Sequence, residues 1–115
     1  MVKLDKIYTK GGDKGLTSLG DGARTSKCSL RVKAYGEVDE VNASLGIALC
    51  YCYSKTLKKS LLRIQNDLFD LGADLCVPNN KKKITIGTDK TNLLEDELDE
   101  MNTKLDKLNS FVLPG

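Results

Sequence analysis

Leu57, Leu61, Ile64, Leu68, Leu71 and Leu75 recur at intervals of 4, 3, 4, 3 and 4 residues, and no other feature restricts the fold of this chain as strongly. Steps of three and four keep one side of an α-helix continuously apolar, and that side is stable in water only when something covers it. The spacing is the heptad seam of helices packed nearly antiparallel. Pro78, with Asn79 and Asn80 behind it, ends the run. Leu94, Leu98, Met101, Leu105 and Leu108 repeat the pattern, and Asn92 and Glu95 stand at capping-box spacing near its start. A further helix is expected over 37–53, where Val38, Val41, Leu45, Ala48, Leu49 and Cys52 share a face. Glu37, Asp39 and Glu40 would then occupy its first turn, where the helix dipole favours negative charge. The expected fold is all-α, an antiparallel helical bundle.

A length of 115 residues points to one domain, divided into an extended arm over 1–29 and a bundle over 30–115. No stretch approaches the roughly 18 apolar residues of a membrane span, and no secretory apolar run follows the first lysines, so a cytoplasmic protein is expected. Eighteen basic against 16 acidic residues leave a net charge of +2, too slight to indicate nucleic-acid or membrane partners. The absence of histidine removes His-based triads, histidine bases and most catalytic zinc sites. Cys28, Cys50, Cys52 and Cys76 read as reduced thiols. Cys50 and Cys52 lie about 200° apart around a helix and cannot easily share a metal.

Between the second and third helices, Lys81–Lys90 reads as a mobile surface loop with a β-like Ile84-Thr85-Ile86. Glu95, Asp96, Glu97, Asp99 and Glu100 read as a solvated face near a helix N-terminus. Asp67, Asp70 and Asp74 share a helix face and read as solvated or subunit-facing carboxylates. Phe111-Val112-Leu113-Pro114-Gly115 is a turn signal that leads toward another segment, so further helices, subunits or both are expected to complete the bundle.

The arm carries the sharpest local chemistry. Thr9-Lys10-Gly11-Gly12-Asp13-Lys14-Gly15-Leu16-Thr17-Ser18 interleaves glycines, lysines and hydroxyl residues. Glycines let successive backbone N–H groups converge on phosphate oxygens, lysines add point charges and hydroxyls donate further bonds. An anion such as a nucleotide phosphate is the natural ligand of such a loop, although an arm of this composition is more often a flexible surface segment. A Walker A loop is disfavoured, because Leu16 follows Gly15 where G-K-[ST] is required, and no βαβ pattern surrounds it.

Four ordered blocks sharpen this reading. They are Ile7-Tyr8-Thr9-Lys10-Gly11-Gly12-Asp13-Lys14-Gly15-Leu16-Thr17; Arg31-Val32 with Ala34-Tyr35-Gly36-Glu37-Val38-Asp39-Glu40-Val41-Asn42-Ala43 and Leu45-Gly46; Ile64 to Leu75; and Phe111 to Gly115. Together they resemble the PduO-type cob(I)alamin adenosyltransferases across essentially the whole chain. The resemblance implies a helical bundle assembled as a homotrimer with sites between subunits. It also implies transfer of the 5′-deoxyadenosyl group of MgATP to the cobalt of cob(I)alamin, giving adenosylcobalamin and triphosphate. Cobalt is then the nucleophile, and no histidine is needed.

By the same resemblance, Thr9, Lys10, Gly11 and Gly12 wrap ATP; Asp13, Lys14 and Gly15, which complete the glycine-lysine loop, are assigned to the same site. Thr17 and Ser18 contact its phosphates, and Lys27 adds a cation. Phe111 occludes the lower face of a corrinoid bound without its lower ligand, which makes cobalt easier to reduce; a helix-end core aromatic is the plainer alternative. Asp39 pairs with an arginine of a neighbouring subunit, or else serves the helix dipole. Tyr35, Gly36 and Asn42 position and pack. No protein ligand for Mg²⁺ can be named. Family members continue past the Leu-Pro-Gly turn into two helices with Arg-Arg-x-Glu-Arg and Asn-Arg-Leu-Ser-Asp blocks, so the chain is expected to hold part of a complete site and to be truncated after Gly115. The rival from another class is a non-catalytic helical oligomerisation or interaction module with a disordered arm.

Overall fold

A computed structural model describes residues 6–78 and 84–114. Strands β1 (Leu16–Ser18) and β2 (Arg24–Ser26) precede helices α1 (Leu30–Tyr51), α2 (Lys55–Cys76) and α3 (Thr88–Asn102). The fold is mainly helical, as expected, with a two-stranded hairpin that the glycine-rich composition of the arm concealed. The strands are antiparallel, pairing Leu16 with Ser26, Thr17 with Thr25 and Ser18 with Arg24. Asp21 shapes the connecting turn by accepting from Ala23 N, and Gly22 supplies a φ of +85°.

Helix α1 begins at Leu30 rather than near 37. Ser29 caps it, its Oγ accepting from Val32 N. Glu37, Asp39 and Glu40 therefore lie well inside the helix, and the dipole reading of Asp39 falls. Ser54 caps α2 in the same way through Leu57 N, after a three-residue connection. The two helices run antiparallel. Asn42 Nδ2 donates to Gln65 O at 3.2 Å, and Gln65 Nε2 returns a bond to Asn42 O at 3.0 Å. Near the other end, Arg31 Nη1 donates to Leu75 O at 2.8 Å, satisfying a carbonyl that the end of α2 leaves free. Pro78 follows the Val77 cap as predicted, while Asn79 and Asn80 lie outside the described residues.

Helix α3 starts at Thr88 behind Gly87, not at a box formed by Asn92 and Glu95, and no side chain caps it. It ends at Asn102, so Leu105 and Leu108 fall in the tail beyond the helix. Residues 84–87 form no strand, and this segment is anchored, since Ile86 N donates to Asp74 Oδ2 at 3.0 Å; Lys81–Lys83 lie outside the described residues. A polar network joins α3 to α2. Arg63 bonds Asp67 and Glu97, Ser60 Oγ donates to Glu97, and Lys90 Nζ reaches Asp67 at 3.0 Å. Asp67 and Asp74 are thus internal docking groups rather than solvated carboxylates. Glu97 likewise leaves the solvated face assigned to it.

The helical seams are only partly covered. Among the described residues Leu49 is the one buried apolar side chain, at 8% exposure, whereas Leu98, Leu105 and Leu108 are exposed. The chain presents 10,028 Å² of surface, against about 6,200 Å² for a compact monomer of this mass. Its radius of gyration is 18.1 Å, where about 13 Å is ordinary for some 100 residues. Heptad spacing gives each helix an apolar face, and these helices alone leave much of those faces uncovered.

Candidate functional site

The arm has built structure despite its composition. Lys10 takes a φ of +59°, a left-handed conformation that costs a non-glycine residue on the order of 1 kcal/mol. Gly15 takes a φ of +78° without that penalty. Between them the chain closes on itself, Asp13 N donating to Lys10 O at 3.3 Å and Gly15 N to Gly12 O at 3.1 Å. Two longer-range bonds fasten this loop to the hairpin. Lys27 N donates to Gly15 O at 2.9 Å, and Arg24 Nη2 donates to Gly11 O at 2.7 Å. Arg24 Nη1 also donates to Ser18 Oγ at 3.1 Å.

Lys27 lies directly over Gly12. A Cβ at Gly12 would sit 3.0 Å from Lys27 Cε and Nζ and 3.1 Å from Leu16 O, so the close approach of the ammonium depends on glycine there. Arg24, a residue the sequence reading passed over, thus ties Gly11 to Ser18, while Lys27 closes over the neighbouring Gly12. Strand register, which sets Arg24 opposite Ser18, would have flagged it. Thr9 Oγ1 flanks Gly11. Asp13 and Lys14 are exposed in the turn, and Thr17 is half-buried in β1. Lys10 holds its ammonium 5.9 Å from the Tyr8 ring centre. Lys6, Lys10, Lys14, Arg24 and Lys27 stand against Asp13 and Asp21 in this segment, which gives it the sign an anion requires.

The hairpin turn docks on the end of α2. Gly20 N donates to Cys76 O at 3.0 Å, and a Cβ at Gly20 would lie 2.7 Å from Val77 Cγ2. Cys76 also lines a groove of about 380 Å³ between α1 and α2, with Tyr35, Asp39, Asn42, Leu68 and Phe69 among its walls. The arm and this groove therefore meet at one end of the helical pair. Asp39 is exposed at the groove. Buried beside it, Asn42 Oδ1 has no hydrogen-bond partner. Phe69 presents its ring to the exterior at 73% exposure.

Phe111 is not brought to this end by any described contact. It lies in the non-helical tail after α3 at 97% exposure, so the alternative of a helix-end core aromatic is also unmet. All four cysteines are free thiols. Among the described residues no group of three His, Cys, Asp or Glu side chains converges as a metal site, and no helix is long and apolar enough to cross a membrane.

These features define a helical-bundle protein with a cationic glycine-rich loop suited to a polyphosphate. The sequence profile of the cobalamin adenosyltransferases matches residues 7–115, and the chain belongs to that family. The corrinoid adenosyltransferase of Mycobacterium leprae is 42% identical over 122 aligned positions, covering 99% of this chain and 64% of its own length. That of Bacillus subtilis is 40% identical over 114 positions, covering 96% of this chain and 58% of its own. A solved PduO-type ATP:corrinoid adenosyltransferase from Lactobacillus reuteri, a variant with one phenylalanine replaced by alanine and complexed with cobalamin and ATP, superposes with a TM-score of 0.88 at 36% identity. That match covers 96% of this chain and 64% of the other. The chain thus spans between 58% and 64% of the length of these relatives.

Proposed function

We propose that the protein transfers the 5′-deoxyadenosyl group of MgATP to the cobalt of cob(I)alamin. The observation that carries this reading is the loop over 9–15, closed on itself and overlaid by Lys27, in a chain whose relatives are named corrinoid adenosyltransferases. The cobalt electron pair attacks C5′ of the ribose, a Co–C bond forms, and the C5′–O bond breaks with its pair leaving on triphosphate. The protein must hold the nucleotide in line and neutralise charge growing on the departing triphosphate.

Thr9, Lys10, Gly11, Gly12, Asp13, Lys14 and Gly15 form the nucleotide loop in this proposal. Thr17 and Ser18 bond phosphate oxygens, Lys27 supplies the near cation, and Mg²⁺ enters with ATP. The α1–α2 groove contributes to the corrinoid site, where Asp39 pairs with an arginine of a neighbouring subunit. Phe111 covers the lower corrinoid face once its tail is seated. The chain works as a single domain, an arm over 1–29 on a bundle over 30–115, in a cytoplasmic homotrimer. The surface in excess of a compact monomer supports such an assembly.

Anaerobic incubation of the 115-residue chain with cob(I)alamin and MgATP tests the proposal. Adenosylcobalamin and triphosphate in equal amounts are expected. ADP as product would overturn it in favour of a phosphotransferase. Assembly with no nucleotide binding would overturn it in favour of an interaction module.

A further inference from the structure

We infer that Arg24 is a positioning residue for the nucleotide loop, one that fixes the shape of residues 10–15 rather than binding phosphate itself; the inference rests on the nucleotide reading above. The loop is attached to the hairpin at two points. Lys27 N holds its end at Gly15 O, and the Arg24 guanidinium holds its beginning at Gly11 O. Gly11 directly follows Lys10, whose left-handed backbone persists only if neighbouring structure holds it. The 2.7 Å bond from Arg24 is placed to do so. Without it the loop is fastened at one end, and its backbone N–H groups are no longer preset toward one ligand position.

The root of Arg24 is itself fixed. Its Cα pairs with Ser18 across the hairpin, and its second terminal nitrogen bonds Ser18 Oγ, so the planar fork spans from strand to loop. Both terminal nitrogens are thus engaged by protein oxygens, which is the arrangement of a brace. A lysine has the charge but a single ammonium, which cannot bridge the two acceptors in one plane. This separates a positioning role from a general contribution of positive charge.

The test compares MgATP binding by the unsubstituted chain, Arg24→Met and Arg24→Lys, with amide hydrogen exchange read across 9–15 and across α1 and α2. Arg24→Met is expected to weaken MgATP binding roughly ten-fold, the scale of one charge-assisted hydrogen bond. Arg24→Lys should retain less than half of the lost affinity. In both variants exchange should quicken in the loop while α1 and α2 stay unchanged. Equal affinity of Arg24→Lys and the unsubstituted chain would reduce Arg24 to a point charge and overturn the inference. So would unchanged binding by Arg24→Met. Failure of the unsubstituted chain to bind MgATP overturns the nucleotide reading and this inference with it. Should Arg24→Met fail to fold, Arg24→Lys alone decides between brace and charge.

Discussion

Helix α2 has a neighbour on either side, and the two are attached by different physics. On the α1 side stand the reciprocal Asn42–Gln65 bonds and the Arg31–Leu75 cap, in the helix that carries the buried Leu49. On the α3 side stand ions, with Arg63 bridging Asp67 and Glu97 and Lys90 returning to Asp67. The first join is fixed by directional, part-buried hydrogen bonds and the second by partly exposed charges. Salt and pH should therefore discriminate between two contacts of one helix, and packing mutations should do the reverse.

The largest effect is expected from Leu49→Ala. Removing a buried leucine costs about 2–4 kcal/mol, and urea unfolding should show the whole chain weakened, with the helical pair failing first. A loss under about 1 kcal/mol would mean that the α1–α2 join is no more apolar than the α3 join. Next comes Gly20→Ala, which probes the third attachment to α2, that of the hairpin. Its Cβ would meet Val77 Cγ2 at 2.7 Å and Cys76 Sγ at 3.3 Å, an overpacking of about 1–2 kcal/mol. Faster amide exchange at Gly20 and through 16–26 should report the hairpin lifting while α3 stays in place.

Arg63→Met should cost about 1 kcal/mol, in keeping with partly exposed ion pairs. The loss should appear as faster exchange in α3 and none in α1. Salt near 1 M, where screening reaches about 3 Å, should produce the same pattern in the unsubstituted chain. Equal effects on α1 and α3 would remove the contrast between the two joins.

How much of this was legible in the sequence divides along the same line. The apolar ladder of α2 and its stop at Pro78 follow from period and proline chemistry, which act within one helix. The start of α1 was written in Ser29, but Ser29-Leu30-Arg31-Val32 lacks the acidic partner of a capping box, and Glu37, Asp39 and Glu40 offered a more conspicuous false start. The α3 seam misled because periodicity reports an apolar face without saying whether anything covers it. Asp67, Asp74 and Glu97 looked solvated because their partners, Arg63, the Ile86 amide and Lys90, are set by tertiary approach. In the arm, composition indicated an anion loop, whereas the brace from Arg24 needs strand register that no local pattern encodes.

The smallest effect is the most specific to the ionic join. The Asp67 carboxylate hydrogen-bonds Lys90 and attracts its charge, raising the Lys90 pKa above its ordinary 10.5. The folded chain therefore holds this proton more tightly than the unfolded chain does. The resulting stabilisation is complete below the unfolded value and is lost as pH rises through the raised one. Comparing urea midpoints of the chain and Lys90→Met at successive pH values isolates this contribution, because tyrosine and cysteine titrations are common to both. The gap between them should be constant near neutrality and should close above pH 10.5. A gap that stays open well above pH 10.5 would instead assign the contribution of Lys90 to its aliphatic stem rather than to its charge.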